Sequence, residues 1–388
     1  MKVIFISNFM NHHQRPLCDY LYANCEEFRF VCMEKMPEQT QKFGYDDLSK
    51  LPYVVQYEEK TAVAEEINRL VDEADVAILG ALSEPYLHRR MAQNKLSFAF
   101  SERLWKLGTY RRFIPFIRKK VTGKYTVYKD KKLYVLAASA FLPYDLRLIG
   151  FPVEKCFRWG YFTATQTAES IENILAKKPD IFTICWVGRF IPLKRGKDLL
   201  RACARLKKEG YAFAVKFVGS GKLEKQYRKQ IRRSHLKENV RLLGNMSQHK
   251  VRGEMQTSHA LVFSSNYQEG WGAVMNEAMD SACVPVVSHA VGSAAFLVRH
   301  GENGLVYQMG SAGDLTAKLR SLMDDRNKTA QLAQNAAHTV KDLYNGQEAG
   351  ARFLSVCTSL LKGEAPESFA QGPMSPAGIL KNRWIKEL

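Results

Sequence analysis

At 388 residues, with 46% hydrophobic and 25% charged side chains, the chain lies in the globular range and is long enough for two domain-sized cores. Residues 1–7 are too brief an apolar run for a secretory signal, no other stretch reaches membrane-spanning length, and the eight cysteines form neither a C-x-x-C pair nor a zinc-type spacing. A reduced, cytoplasmic protein is expected, free or bound to a surface, and its net charge of +18 favours an anionic partner.

In chain order, residues 2–7, 28–33, 53–57, 76–81 and 96–100 are short β-branched or aromatic runs that predict strands. Between them lie helical patterns such as 62–72, where Val63, Ile67, Leu70 and Val71 share a face. Residues 133–140 predict a further strand, and Pro143 opens another helix. Such alternation predicts a parallel sheet covered on both faces. The polar, Thr-rich stretch 163–180 predicts a linker or crossing.

The rhythm then restarts: strands at 181–187, 213–218, 240–243, 260–264 and 284–288, with helices at 196–208, 222–234, 247–256, 272–280 and 294–300 between and after them. Helices at 312–323, 328–343 and 347–361 follow. The expected class is α/β, with a first domain over 1–162 joined by the helix 346–362, a second over 163–345, and a tail over 363–388.

Open α/β sheets collect ligands at the carboxyl ends of their strands. Three loops there in the second domain carry suggestive residues. Between Gly188 and Gly196 lie Arg189 and Lys194, a guanidinium fork and an ammonium suited to a diphosphate, or else two solvated surface cations. Gly219-Ser220-Gly221 allows close backbone approach. After the strand 260–264, Glu269 leads into Gly270-Trp271-Gly272-Ala273 and a predicted helix that carries Glu277. Amides at a helix start attract anions, and an eight-residue helical step covers roughly 12 Å while returning to nearly the same face. The span suits a sugar, a diphosphate and a ribose in a row. On the plainer reading Glu269 stabilises the helix start and Glu277 is a surface carboxylate.

Glu269 to Glu277 resembles the Glu-(seven residues)-Glu motif of the retaining GT-B glycosyltransferases of family 4. The order of Gly188-Arg189 with Lys194, Val218-Gly219-Ser220-Gly221, Val240 to Gly244, Ser264, Glu277-Ala278-Met279, Pro285 to Ser288 and Gly301-Glu302-Asn303-Gly304 is similar to that family's landmarks over about 181–345. The resemblance implies two Rossmann-like domains facing a central cleft, with the last helix crossing back onto the first. It implies that Glu277 holds the donor's ribose, Glu269 contacts the transferred sugar, and Arg189 and Lys194 neutralise the diphosphate. Gly219, Gly244 and residues 270–273 complete the expected nucleotide-sugar site, and no metal or other cofactor is expected. The chain departs from the family pattern at Ser281-Ala282-Cys283-Val284 and in the loop 291–298, which lacks the usual acidic residue. A sugar-nucleotide epimerase or phosphorylase of the same fold, or a non-catalytic basic protein, are the alternatives.

In the first domain, His12 and His13 follow a strand and are candidates to bind donor phosphate, position an acceptor hydroxyl or take its proton, unless one caps the next helix and the other is solvated. Glu102 occupies another strand end. The stretch from Ser101 to Lys132, whose cations run from Arg103 to Lys132, carries eleven basic residues against two acidic ones, half of the net charge, interleaved with aromatics. That composition suits an anionic membrane surface and a saccharide or lipid-linked saccharide acceptor on the inner face of the cell membrane; nucleic acid is a weaker candidate, because no recognition motif accompanies the patch.

Overall fold

The computed structural model describes residues 1–37, 47–59, 62–165 and 170–387. The chain divides into two units, Met1–Ala164 with Leu343–Lys381 and Thr165–Asp342 with Asn382–Leu388.

The first unit carries strands Lys2–Ser7 (β1), Glu27–Cys32 (β2), Val54–Gln56 (β3), Val76–Leu79 (β4), Ser97–Ser101 (β5), Leu133–Ala137 (β6) and Cys156–Arg158 (β7). They form one parallel sheet in the order β3-β2-β1-β4-β5-β6-β7. β4 and most of β1 are buried on both faces, as a doubly covered parallel sheet demands. The helix Gly346–Lys362 belongs to this unit. It starts where the Asn345 side chain accepts from the Glu348 N–H at 2.8 Å, and it lies so close to the helix Arg15–Asn24 that a Cβ on Gly350 would come within 2.3 Å of the Tyr20 ring.

The second unit carries Phe182–Val187 (β8), Phe213–Val218 (β9), Val240–Gly244 (β10), Ala260–Phe263 (β11), Val284–Ser288 (β12) and Leu305–Tyr307 (β13), all parallel in the order β10-β9-β8-β11-β12-β13. The order reverses between β8 and β11, which marks the carboxyl edge there as the place for a ligand crevice. Below that edge the core packs Ile184, Trp186, Leu199, Phe217, Val262 and Val286.

Several expectations need correction. β7 and β13 are three residues each, too short to announce themselves by periodicity. The stretch 163–180, of which 166–169 lie outside the described residues, holds a helix at Ile171–Ala176 capped by the Ser170 hydroxyl. The expected helix 328–343 ends at His338 and continues as a π-turn, Thr339–Leu343. The segment read as a tail divides: Pro376 bridges Phe157 in the first unit, whereas Trp384 is buried in the second, its indole N–H donating to the His289 carbonyl at 2.9 Å.

Candidate functional site

Trp186 on β8 starts the site's construction. Its indole N–H donates to the Ser264 hydroxyl at 2.9 Å, and that hydroxyl donates in turn to the Lys194 carbonyl at 2.7 Å. The Asn266 N–H meets the Leu193 carbonyl at 2.9 Å. The loops after β8 and β11 are thereby stitched together from residues seventy or more positions apart in sequence. Across this seam the Lys194 ammonium pairs with Glu269 Oε2 at 2.5 Å, and the Ser265 hydroxyl donates to the same oxygen at 2.8 Å. The pair is 15% and 14% exposed, partly desolvated but open to a ligand. Below it lies the Phe263 ring, whose centroid is 5.2 Å from the ammonium.

The glycines hold the other loops. Gly219 donates to the Gly244 carbonyl at 2.7 Å, and Gly188 to the Val218 carbonyl at 3.0 Å, which closes a mesh over the ends of β8, β9 and β10. At Gly219, with φ +125°, a Cβ would stand 2.1 Å from the Gly188 carbonyl oxygen, so only glycine fits. Gly219 and Gly244 thus shape the floor of the crevice. Arg189 is exposed, and its side chain forms no hydrogen bond or ion pair among the described residues, which leaves its guanidinium available to an anion.

The helix after Glu269 begins later than expected. It runs Val274–Asp280, because Gly272 adopts φ +83° and cannot be helical; a Cβ there would strike the Phe263 ring at 2.2 Å. Glu277 therefore lies in the helix's first turn, and the uniform eight-residue helical step does not occur. The loop that replaces it has a consequence for anions: the N–H groups of Gly270, Gly272 and Ala273 have no acceptor among the described residues. Trp271 is a core residue, its indole N–H donating to Asn276 Oδ1 at 2.9 Å, so only its backbone is placed to meet a ligand. Glu277 is 8% exposed, and the Gln248 amide donates to its Oε1 at 3.0 Å. Gln248 and Ser265 escaped the sequence reading, since neither residue type signals a site from spacing alone.

In the first unit, His13 and Glu102 flank Tyr161. The His13 ring lies 4.4 Å from the Tyr161 ring, whose hydroxyl donates to Glu102 Oε1 at 3.1 Å; the Lys106 ammonium also holds Glu102. The His12 and His13 rings are 5.0 Å apart. Burial, reinforced by the neighbouring His12, lowers the His13 pKa to about 3, so its imidazole is neutral at physiological pH. Its Nδ1 is buried and has no partner among the described residues. Neither histidine acts as the helix cap, because Gln14 occupies that position.

The basic stretch is less uniform than its composition. Arg103 is buried and paired with buried Asp145 at 3.2 Å, and Trp105 and Tyr125 are core residues. These three belong to the interior of the first unit, not to a surface patch. By contrast the helix Pro115–Lys124 buries none of its residues, and Tyr110, Phe113, Ile114 and Phe116 are exposed.

With this geometry in place, the likeness to known proteins becomes specific. Residues 167–339 match the family model of glycosyl transferases group 1. That stretch contains every residue of the second-unit site. A D-inositol 3-phosphate glycosyltransferase of Catenulispora acidiphila is 31% identical over 168 residues, 41% of this chain and 39% of the relative. An alpha-D-kanosaminyltransferase of Streptomyces kanamyceticus is 25% identical over 173 residues, 45% and 44% of the two chains. The match thus spans less than half the length of these relatives. Among solved structures, HepE of Anabaena in complex with UDP superposes with a TM-score of 0.70 at 17% identity, over 92% of this chain and all of the other. Sucrose-phosphate synthase of Thermosynechococcus elongatus does so with 0.66 at 16%, over 93% and 99%. The fold is that of the GT-B glycosyltransferases, with two Rossmann-like parallel-sheet units.

Proposed function

We propose that the chain is a retaining family 4 glycosyltransferase that moves a sugar from a UDP- or GDP-linked donor to a hydroxyl of a lipid-linked saccharide in polysaccharide or glycoconjugate assembly. The observation that carries the reading is the convergence of the Lys194–Glu269 pair, Arg189 and the unpaired amides of Gly270, Gly272 and Ala273 at the reversal point of one parallel sheet. A HepE structure with UDP-glucose supports a nucleotide-sugar donor for the fold.

In this reading the diphosphate lies over the 270–273 amides and takes the Lys194 ammonium from Glu269, with Arg189 closing on it from the exposed side. Glu269, released from its cation, accepts from the hydroxyls of the sugar. Glu277, oriented by Gln248, accepts from the ribose. As the anomeric bond breaks, the sugar gains oxocarbenium character and the diphosphate gains negative charge. Fixed donors aimed at the leaving group strengthen in that state more than in the ground state. The two cations supply the charge that a metal supplies elsewhere, and the reaction needs no metal. In this reading His13, neutral and half-buried, accepts a hydrogen bond from a substrate hydroxyl. The His12 ring is its neighbour there.

Incubation with UDP- and GDP-sugars and a saccharide acceptor, followed by proton NMR of the product, tests the whole reading. Transfer with the donor's anomeric configuration kept is the expected result. Release of free sugar alone, transfer to phosphate, or an inverted product would overturn it.

The exposed helix Pro115–Lys124 and its aromatic neighbours fit a surface that rests on anionic lipid, with Phe116, 77% exposed, entering the headgroup layer. Among the described residues no helix is long and apolar enough to cross a membrane. Replacing Arg118, Lys119 and Lys120 together by Ser removes about 1 kcal/mol per cation near such a surface and should weaken vesicle binding roughly hundredfold at low salt. Co-sedimentation with phosphatidylserine vesicles measures this, and unchanged sedimentation of the triple variant removes the membrane claim.

A further inference from the structure

At the opposite edge of the second unit's sheet, where β8, β11 and β12 begin, a cavity of about 420 Å³ opens between the strand starts and the helix Arg326–His338. β8 is six residues long, so this edge lies ~20 Å from the Lys194–Glu269 pair. None of the residues proposed above for catalysis or donor binding lines it. Its walls are apolar, from Leu175, Pro179, Ala282, Ala330 and Ala333, and its polar lining includes Lys178, His259 and Arg326, with Asp180 as the one carboxylate.

Lys178 is met by neutral carbonyls alone, and the nitrogen groups of Arg326 and His259 face each other. The Lys178 ammonium donates to the carbonyls of Met255, Ser258 and Ser281 at 3.3, 2.6 and 3.4 Å. No carboxylate pairs with it among the described residues, and burial lowers its pKa to about 8. Arg326 likewise has no ion pair among the described residues: its guanidinium touches the Phe182 ring at 5.2 Å and reaches two carbonyls at a long 3.4 Å. His259 is 6% exposed and stacks on the same Phe182 ring at 5.0 Å. The Thr183 N–H donates to its Nδ1 at 3.0 Å, so the neutral ring carries its proton on Nε2. That Nε2 faces the Arg326 Nη2 at 2.7 Å. Two donors therefore meet head-on in a partly desolvated site.

We propose that this cavity binds a small organic oxyanion, with its phosphate or carboxylate group set against both Arg326 and His259 Nε2–H and its body lying against Leu175, Ala282, Ala330 and Ala333. An oxyanion there accepts from both donors and adds negative charge beside Lys178, whose partners are neutral carbonyls, and Arg326, which feels Asp180 without pairing with it. The volume lies in the range of small-molecule sites. The apolar walls favour an organic anion over a bare inorganic one.

The test uses the full chain with Arg189 and Lys194 both changed to Ala, so that anions held by the donor loops do not contribute. Isothermal titration with inorganic phosphate, glycerol 3-phosphate and malate separates a bare anion, a phosphate ester and a carboxylate. Saturable one-to-one binding of glycerol 3-phosphate or malate, tighter than that of inorganic phosphate, is expected. Arg326→Gln, a change at an exposed residue, should weaken it at least about tenfold, since a charge-assisted hydrogen bond is lost. Ala330→Glu should abolish it by placing a carboxylate in the cavity. Circular dichroism confirms that both variants remain folded. Binding that is indifferent to both substitutions, or no saturable binding of any probe at high millimolar concentration, overturns the proposal.

Discussion

Lys194→Ala should lower kcat by about 10²–10³-fold, the usual cost of removing one preorganised donor from a developing oxyanion. The ammonium is held by the Lys194 backbone's bond from Ser264 and by its own pairing with Glu269, so it is already placed when substrate arrives. The fold should tolerate the change. The ion pair is about 15% exposed, and its loss should cost between the ~1 kcal/mol of an exposed pair and the ~3 kcal/mol of a fully buried one. Ser265 continues to donate to Glu269, which limits the penalty further. Steady-state rates with saturating donor, read beside a urea unfolding curve, separate the two effects. A turnover within a factor of two of the wild type would remove Lys194 from the reaction.

Glu277→Ala should act on affinity instead. A carboxylate that accepts from ribose hydroxyls contributes equally to the ground and transition states, so its loss raises the donor Kd about 10–100-fold while kcat moves little. Its environment is well defined for that role: 8% exposed, in the first turn of the helix Val274–Asp280, with Gln248 fixing one oxygen. Glu277→Gln keeps an acceptor and should recover part of the affinity. Calorimetric titration with the nucleoside diphosphate measures both. An unchanged Kd in the alanine variant would mean that Glu277 is an ordinary structural carboxylate.

Much of the second unit was legible in its sequence because local signals and tertiary packing agree there. The helix Gly196–Lys208 and the strands β9 and β12 have the boundaries expected from pattern alone. Lys194 and Glu269 were identifiable because each follows a strand whose carboxyl end topology turns into a ligand edge. Their direct pairing was not, since it depends on a hydrogen-bond seam between loops 75 residues apart. The start of the helix after Glu269 was misplaced for a local reason, the positive φ of Gly272, which the glycine permits but does not announce. Composition misled at Arg103: a cation at the head of a basic run is in fact buried against Asp145, 42 residues on. Residue type also hid the anchoring of the C-terminal segment, where the Tyr267 hydroxyl, in the loop that carries Glu269, donates to the Asn382 carbonyl at 2.7 Å. Long-range pairs of this kind leave no periodic trace.

The most direct test of the account is a crystal structure of the full chain with whichever of UDP, GDP or ADP gives the largest thermal shift. The expected density places the diphosphate within hydrogen-bond reach of Arg189, Lys194 and the 270–273 amides, with the ribose on Glu277. A nucleotide bound elsewhere, or no saturable binding of any of the three, would contradict it.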